Sequence, residues 1–255
     1  MWKKINFLEM NRLLLVTLAL FAVLQLEAQG FAWGLKGGMT LGVQNWNGFE
    51  QDPLIKYHGI LFIESLAEET PFALFAQGGY HMKGSAIRNR NFVSINNPNQ
   101  VIRPPAMEFI FHNISLTAGA KQKFELSGDT KGFWLLGIRG DYTFDTNLEI
   151  YNDFVTTYRI GSFPVDDPFY IRNFIYGVTF GGGVEVPFSD LVGGVVELTV
   201  NPDLSSQYLQ PEAQVYDPIR GTNRTVSEKR IRNITFEITI GFRFLRRIEY
   251  IDTQF

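Results

Sequence analysis

Between Asn233 and Leu245 the chain reads NITFEITIGFRFL, and its apolar and polar residues alternate without a miss. Ile234, Phe236, Ile238, Ile240, Phe242 and Phe244 occupy one set of alternate positions, and Asn233, Thr235, Glu237, Thr239, Gly241 and Arg243 the other. Successive side chains of a strand point to opposite faces, so a period of two predicts a β-ribbon with one apolar face and one polar face. A helix would spread both sets around its axis.

The same period recurs upstream. In 132–145, Trp134, Leu136, Ile138, Tyr142 and Phe144 oppose Gly137, Arg139, Asp141 and Thr143. In 169–187, Phe174, Tyr176, Val178 and Phe180 oppose Gly177, Thr179, Gly181 and Glu185. Val196, Leu198 and Val200 oppose Glu197 and Thr199 in 193–200, and Trp33, Leu35, Met39 and Leu41 oppose Lys36, Gly38 and Thr40 in 31–43. The segment 55–66, built around YHGILFIE, does not divide cleanly. With 71–83, 105–123 and 229–245 these make eight β-like segments.

Their connections alternate in length. Ala67–Thr70, Glu125–Lys131 and Phe188–Val192 are short, whereas 44–54, 84–104, 146–168 and 201–228 are long. Every long loop therefore falls at one end, and the short turns fall at the other with both ends of the strand set. Strands of about 11–13 residues span roughly 36–43 Å, or about 25–33 Å once tilted by 35–45°, which is the apolar thickness of a membrane. The pattern predicts an all-β fold: an eight-stranded antiparallel up-and-down transmembrane β-barrel with its apolar face toward lipid. Its narrow lumen is then filled by Lys36, Lys121, Arg139 and Arg243 interleaved with Asp141, Glu185, Glu197 and Glu237.

A secreted soluble barrel of the lipocalin kind, apolar face inward, uses eight strands too. Against it stand the strand lengths, the loop alternation, and aromatic residues near strand ends: Trp33, Tyr80, Trp134, Tyr142, Phe144, Tyr170, Phe174, Phe242 and Phe244.

The N-terminus adds an address. Lys3, Lys4 and Arg12 precede the apolar run Leu13–Leu24, and Leu26-Glu27-Ala28 offers a cleavage site, so residues 1–28 read as a signal peptide and 29–255 as the barrel domain. Met10 is an alternative start. The 12-residue run is too short to span a bilayer, and no later apolar run approaches the roughly 20 residues a spanning helix needs. Export combined with a lipid-facing barrel predicts the cell outer membrane, with termini in the periplasm. There is no cysteine, so no disulfide staples the fold. Removing residues 1–28 takes away three basic and two acidic residues and leaves a net charge of −4, which argues against a nucleic-acid partner.

Candidate chemistry is sparse. Arg88, Arg90 and Arg103 give the loop 84–104 a charge of +3, while 146–168 carries −3 and 201–228 carries −2. The arginines suit lipopolysaccharide phosphates or a protein partner, or else pair with the neighbouring acidic loops and stiffen the rim. His58, His81 and His112 read as isolated interfacial residues. His112 and Ser115 point to opposite faces, and His81 and Ser85 lie about 13 Å apart along an ideal strand, so neither pair makes a nucleophile and base. No His-x-His motif, cysteine or close ligand spacing implies a metal, and Gly181-Gly182-Gly183 lacks the Lys-Ser/Thr ending of a phosphate loop. No catalytic residue, cofactor or metal is expected.

Gly34-Leu35-Lys36-Gly37-Gly38-Met39-Thr40-Leu41 near one end and Ile240-Gly241-Phe242-Arg243-Phe244 near the other resemble small Gram-negative outer-membrane barrels of the PorT-like, OmpA/OmpX-like type. The resemblance implies a non-enzymatic membrane protein that presents its long loops to lipopolysaccharide or an envelope protein. It extends to an accessory role in a secretion system of the type IX kind. It also implies an aromatic assembly signal, for which Phe244 and Phe255 both qualify. A lipid A-modifying enzyme and a small passive channel are the rival expectations.

Overall fold

The computed structural model describes residues 30–46, 50–66, 71–93, 101–152, 164, 166–217 and 221–247. The expected signal peptide, residues 1–28, and Phe255 lie outside them. In chain order the strands are β1 (Gly30–Trp46), β2 (Asp52–Leu66), β3 (Phe72–Ile87), β4 (Phe92–Val93), β5 (Val101–Ile102), β6 (Met107–Ser127), β7 (Thr130–Thr146), β8 (Phe174–Pro187), β9 (Val192–Pro202), β10 (Tyr208–Gln210), β11 (Ala213–Asp217), β12 (Thr222–Val226) and β13 (Lys229–Arg247).

Eight of them form the barrel. β1, β2, β3, β6, β7, β8, β9 and β13 pair in that order, each antiparallel to the next. β13 returns to β1 along its whole length, from Gly30↔Arg247 to Trp46↔Ile231, so the sheet has no free edge in this ring.

The two faces separate as the alternation predicts. Trp33, Leu35, Met39, Trp134, Leu136, Leu198, Ile238, Ile240 and Phe242 point outward and are exposed, and so does Ile138, at 73% the most exposed of the large hydrophobic residues described on the barrel strands. Thr40, Asp141, Glu197, Thr235, Glu237 and Thr239 point inward and are buried. A barrel of this polarity is inverted relative to a soluble one, whose apolar side chains fill the inside. Segment two resolves on the same rule. Ile55, Tyr57, Leu61 and Ile63 face out, and His58, Ile60, Phe62 and Glu64 face in. Its pattern is blurred because the interior it meets is itself partly apolar.

Close strand approach explains the glycines. A Cβ at Gly38 would lie 1.9 Å from the Ile238 carbonyl oxygen, and one at Gly181 would lie 2.1 Å from that of Leu198. The triple glycine is thus a packing requirement of a tightly curved wall.

At one end, Gly128-Asp129 turns β6 into β7, with Gly128 at φ +56°. The other end departs from expectation in several places, among them 84–104, where β3 runs on to Ile87 and β4 pairs with β5. The first loop is shorter than 44–54, since β1 runs to Trp46 and β2 begins at Asp52. Residues 169–173 precede β8 rather than open it, and Tyr170 packs on Tyr208 at 5.9 Å instead of joining an outer girdle. Residues 203–228 add β10 to the edge of β13 and raise the β11–β12 hairpin.

The filled lumen and the loop-side rim as candidate functional site

Inward positions of the eight strands stack in layers along the barrel axis. Nearest the short turns, Glu64 and Glu185 share Lys121, Lys123 and Arg243. Lys121 Nζ stands 2.9 Å from Glu64 and 3.8 Å from Glu185, and Lys123 Nζ stands 3.0 Å from Glu185 and also bonds Glu64. The Arg243 guanidinium lies 3.4 Å from Glu185 and 3.5 Å from Glu64. A vestibule of about 960 Å³, lined in part by Lys123, Glu185 and Arg243, opens beneath them between the turns.

An apolar layer follows, in which Phe75, Phe133, Leu135 and Val195 pack together. Cations bridge it to the polar layers. Lys121 Nζ sits 4.5 Å from the centre of the Phe133 ring, and Lys36 Nζ sits 5.4 Å from that of Phe62 while donating 2.7 and 2.9 Å bonds to Glu197. Glycine and alanine around the ring leave room for these long side chains.

The middle layer holds two of the three histidines. His58 and His81 are directly paired across β2 and β3, with rings 5.3 Å apart and 11° from parallel. His81 Nδ1 is 2.8 Å from Glu237 Oε1, and the two nitrogens of His58 are each 2.9 Å from a threonine hydroxyl, Thr40 and Thr239. This corrects the expectation of isolated interfacial histidines. Strand parity alone puts both rings on an inward face, because His58 shares a face with Glu64 and His81 shares one with Lys83, but it does not bring them into contact.

Above lies a second charged layer. Asp141 accepts from Lys83 at 2.6 Å and from Arg139 Nε at 3.0 Å, and also from Ser115. Asp203 bonds Arg139 and lies 3.4 Å from Lys83. Amides and hydroxyls come next: Gln44 donates to Asn233 at 2.8 Å, Thr143 to Asn113 at 2.6 Å, and Gln207 to Thr143 at 3.2 Å. An apolar cluster of Trp46, Ile87, Met107, Phe109, Phe111, Leu148, Tyr208 and Ile231 closes the loop end.

Of the eight residues expected in the lumen, Lys36 meets Glu197, Arg139 meets Asp141, and both Lys121 and Arg243 meet Glu185. Glu237 meets His81 rather than one of the expected cations. Six further members were not expected: Glu64, Lys83, Lys123, Asp203, His58 and His81. Asp203 falls within 201–228, the stretch expected to be an outer loop, yet it continues the inward face of β9 one step past Asn201 and is buried.

Two of the rim arginines, Arg88 and Arg90, turn toward the first loop, and Arg103 bonds within its own loop. Arg88 donates its backbone N–H to Asp52 at 2.8 Å and Nη1 to the Pro53 carbonyl at 2.9 Å, Arg90 lies 3.3 Å from Glu50, and Arg103 donates to Asn89 at 2.8 Å. Among the described residues, none of the three bonds an acid of 146–168; Asp153 lies outside them. β2 and β3 are neighbours in the wall, so Arg88 and Arg90, which follow β3, stand over Asp52 at the start of β2 and Glu50 just before it.

No described histidine is hydrogen-bonded to a serine. His112 faces outward and bonds the Tyr80 hydroxyl at 2.6 Å, Ser115 faces the lumen, and Ser85 donates to Gln44 at 2.7 Å.

No family model and no curated protein sequence matches the chain. Among solved structures it is similar to Neisserial surface protein A, at 9% identity and TM-score 0.45 over 84% of this chain and 96% of that one. It is similar also to the outer membrane protein OprG from Pseudomonas aeruginosa, at 9% identity and TM-score 0.46 over 86% and 99%. The Escherichia coli outer membrane protein W gives 14% identity and TM-score 0.36 over 86% and 100%.

Proposed function

We propose that the chain is an integral outer-membrane protein that catalyses no reaction and uses its barrel as an anchor for a loop-side platform. The observation that carries this reading is the inverted polarity. Large aliphatic and aromatic side chains cover the outside of all eight strands, while the inside is charged, hydrogen-bonded and layered. Such a belt is stable in lipid and costly in water, where exposed apolar surface loses about 25 cal/mol per Å² relative to burial. The stacked layers and the apolar cluster at the loop end count against a steady passive channel. The absence of a histidine–serine pair among the described residues removes the support for a lipid A-modifying enzyme that uses one.

The platform comprises the rim arginines, the β11–β12 hairpin and exposed apolar residues such as Ile150, Phe169 and Tyr216. Envelope proteins or lipopolysaccharide are its proposed contacts. An accessory role in a type IX-like secretion apparatus rests on the resemblance of the first and last strands.

Fractionation and gel migration test the anchor. The protein is expected in the outer membrane and to migrate faster unheated than boiled, and recovery as a soluble periplasmic monomer would overturn the reading. Cross-linking from intact membranes tests the platform: envelope proteins captured by wild type and lost on deleting 213–226 support it, and an unchanged capture profile removes it.

A further inference from the structure

The middle layer of the lumen has a composition unlike the layers on either side. On the turn side Lys36 is paired with Glu197, and on the loop side Lys83 and Arg139 are paired with Asp141 and Asp203. Three permanent cations there meet three carboxylates. Glu237 differs, since its hydrogen bonds are with an imidazole, His81, and a hydroxyl, Thr199 at 3.4 Å. A buried carboxyl that bonds no permanent cation either carries a proton itself, sits beside a protonated partner, or meets another cation.

We propose that His58, His81 and Glu237 form a binding site for one divalent transition-metal ion of the zinc class. The three side chains are buried, and one donor atom from each lies within 4.8 Å of the others. Two imidazoles and a carboxylate are the donors such ions take, whereas calcium and magnesium prefer oxygen throughout. Ligands at about 2.0–2.2 Å from a tetrahedral ion stand roughly 3.3–3.6 Å apart, so contraction by about an ångström assembles the set. Rotation of the His58 ring supplies it by giving up one of its two threonine contacts. The threonine that remains holds the other ring nitrogen and fixes its tautomer, the usual office of a residue behind a metal-bound imidazole. Three protein ligands leave the fourth position to water.

Placement assigns the ion a structural office. His58 and His81 come from β2 and β3, and Glu237 comes from β13. An ion among them ties the early strands to the last strand across the lumen. The apolar layer below and the second charged layer above separate it from both mouths. It is therefore taken up while the barrel closes and is held against chelators afterwards.

The test is to refold the chain into detergent micelles with Zn²⁺ or with EDTA, desalt it, measure bound metal by mass spectrometry, and follow unfolding by gel migration. One equivalent of zinc per chain, a higher unfolding temperature than the EDTA sample, and visible absorption bands with Co²⁺ are expected. His58→Gln and Glu237→Gln should each hold less than about one-tenth of an equivalent, and His112→Ala should hold as much as wild type. If a variant fails to refold, the comparison of wild type with and without zinc decides. Wild type that refolds in zinc with no bound metal and an unchanged unfolding temperature overturns the proposal, as does metal lost with His112.

Discussion

The barrel contains two cores made by opposite rules. At the loop end Trp46, Phe109, Phe111 and Tyr208 pack as in a water-soluble domain, apolar against apolar. Below it, past one layer of amides and hydroxyls, Lys83, Arg139, Asp141 and Asp203 fill the same tube with charge. The apolar core gains from every contact and tolerates imperfect ones. A charged core gains only when every member is satisfied, because the attraction between ions must first offset the cost of taking both out of water. The contrast teaches that the lower lumen depends on completeness and the loop end on volume.

Removing one member of the charged core should therefore do the most damage. Asp141→Ala leaves Lys83 and Arg139 with a single acid between them and should cost about 3–5 kcal/mol, read from urea unfolding in lipid vesicles. An effect below 1 kcal/mol would mean that water enters the layer and screens it.

Phe109→Ala, in the apolar core, should cost about 3–4 kcal/mol in the same measurement. It separates from the first in its rescue: Phe109→Leu should restore most of the loss, because volume is what the site requires, whereas Asp141→Leu should restore little. A rescue by Asp141→Leu equal to that by Phe109→Leu would erase the distinction between the cores.

Most of this barrel is legible from alternation, and the exceptions lie on the inward face and beyond the strand ends. The outward faces of β7, β8, β9 and β13 follow from period two alone, since lipid demands one kind of residue along the whole strand. The inward face has no single demand. Ile60 and Phe62 look outward to a hydropathy pattern, yet they face in, and the Phe62 ring lies under the Lys36 and Lys121 ammonium groups at 5.4 and 5.5 Å. Asp203 and Tyr170 were placed in outer loops or girdles because nothing in a linear reading shows that the lumen fill continues past the strand ends. The histidine layer needed the β2–β3 register, which brings His58 opposite His81, and closure of the ring, which brings Glu237 to both. Registers and closure are long-range facts, and residue spacing does not contain them.

The outside of the wall supplies a third environment. Ile138→Arg, at the most exposed large hydrophobic residue described on the barrel strands, should cost about 2–4 kcal/mol when folding is measured in bilayers, because a charge is driven into hydrocarbon. At the rim the same kind of charge does little. Arg90 is half-exposed and 3.3 Å from Glu50, so Arg90→Ala should shift stability by less than about 1 kcal/mol.

The smallest loss expected is that of a double variant, and it tests the rule most directly. Lys36 and Glu197 form a compact pair, bonded at 2.7 and 2.9 Å, beside the apolar layer of Phe75, Phe133, Leu135 and Val195. Changing both at once, Lys36→Met with Glu197→Leu, removes two charges together and extends that layer by two side chains of similar size. Replacements of this kind elsewhere are neutral or stabilising by about 1–4 kcal/mol, while either single change strands a buried charge and should cost about 3–5 kcal/mol. Unfolding of the two single variants and the double variant in one vesicle system completes the cycle. A double variant as unstable as the sum of the singles would show that Lys36 and Glu197 each serve other partners, and the lumen would then be one continuous network rather than a stack of separable layers.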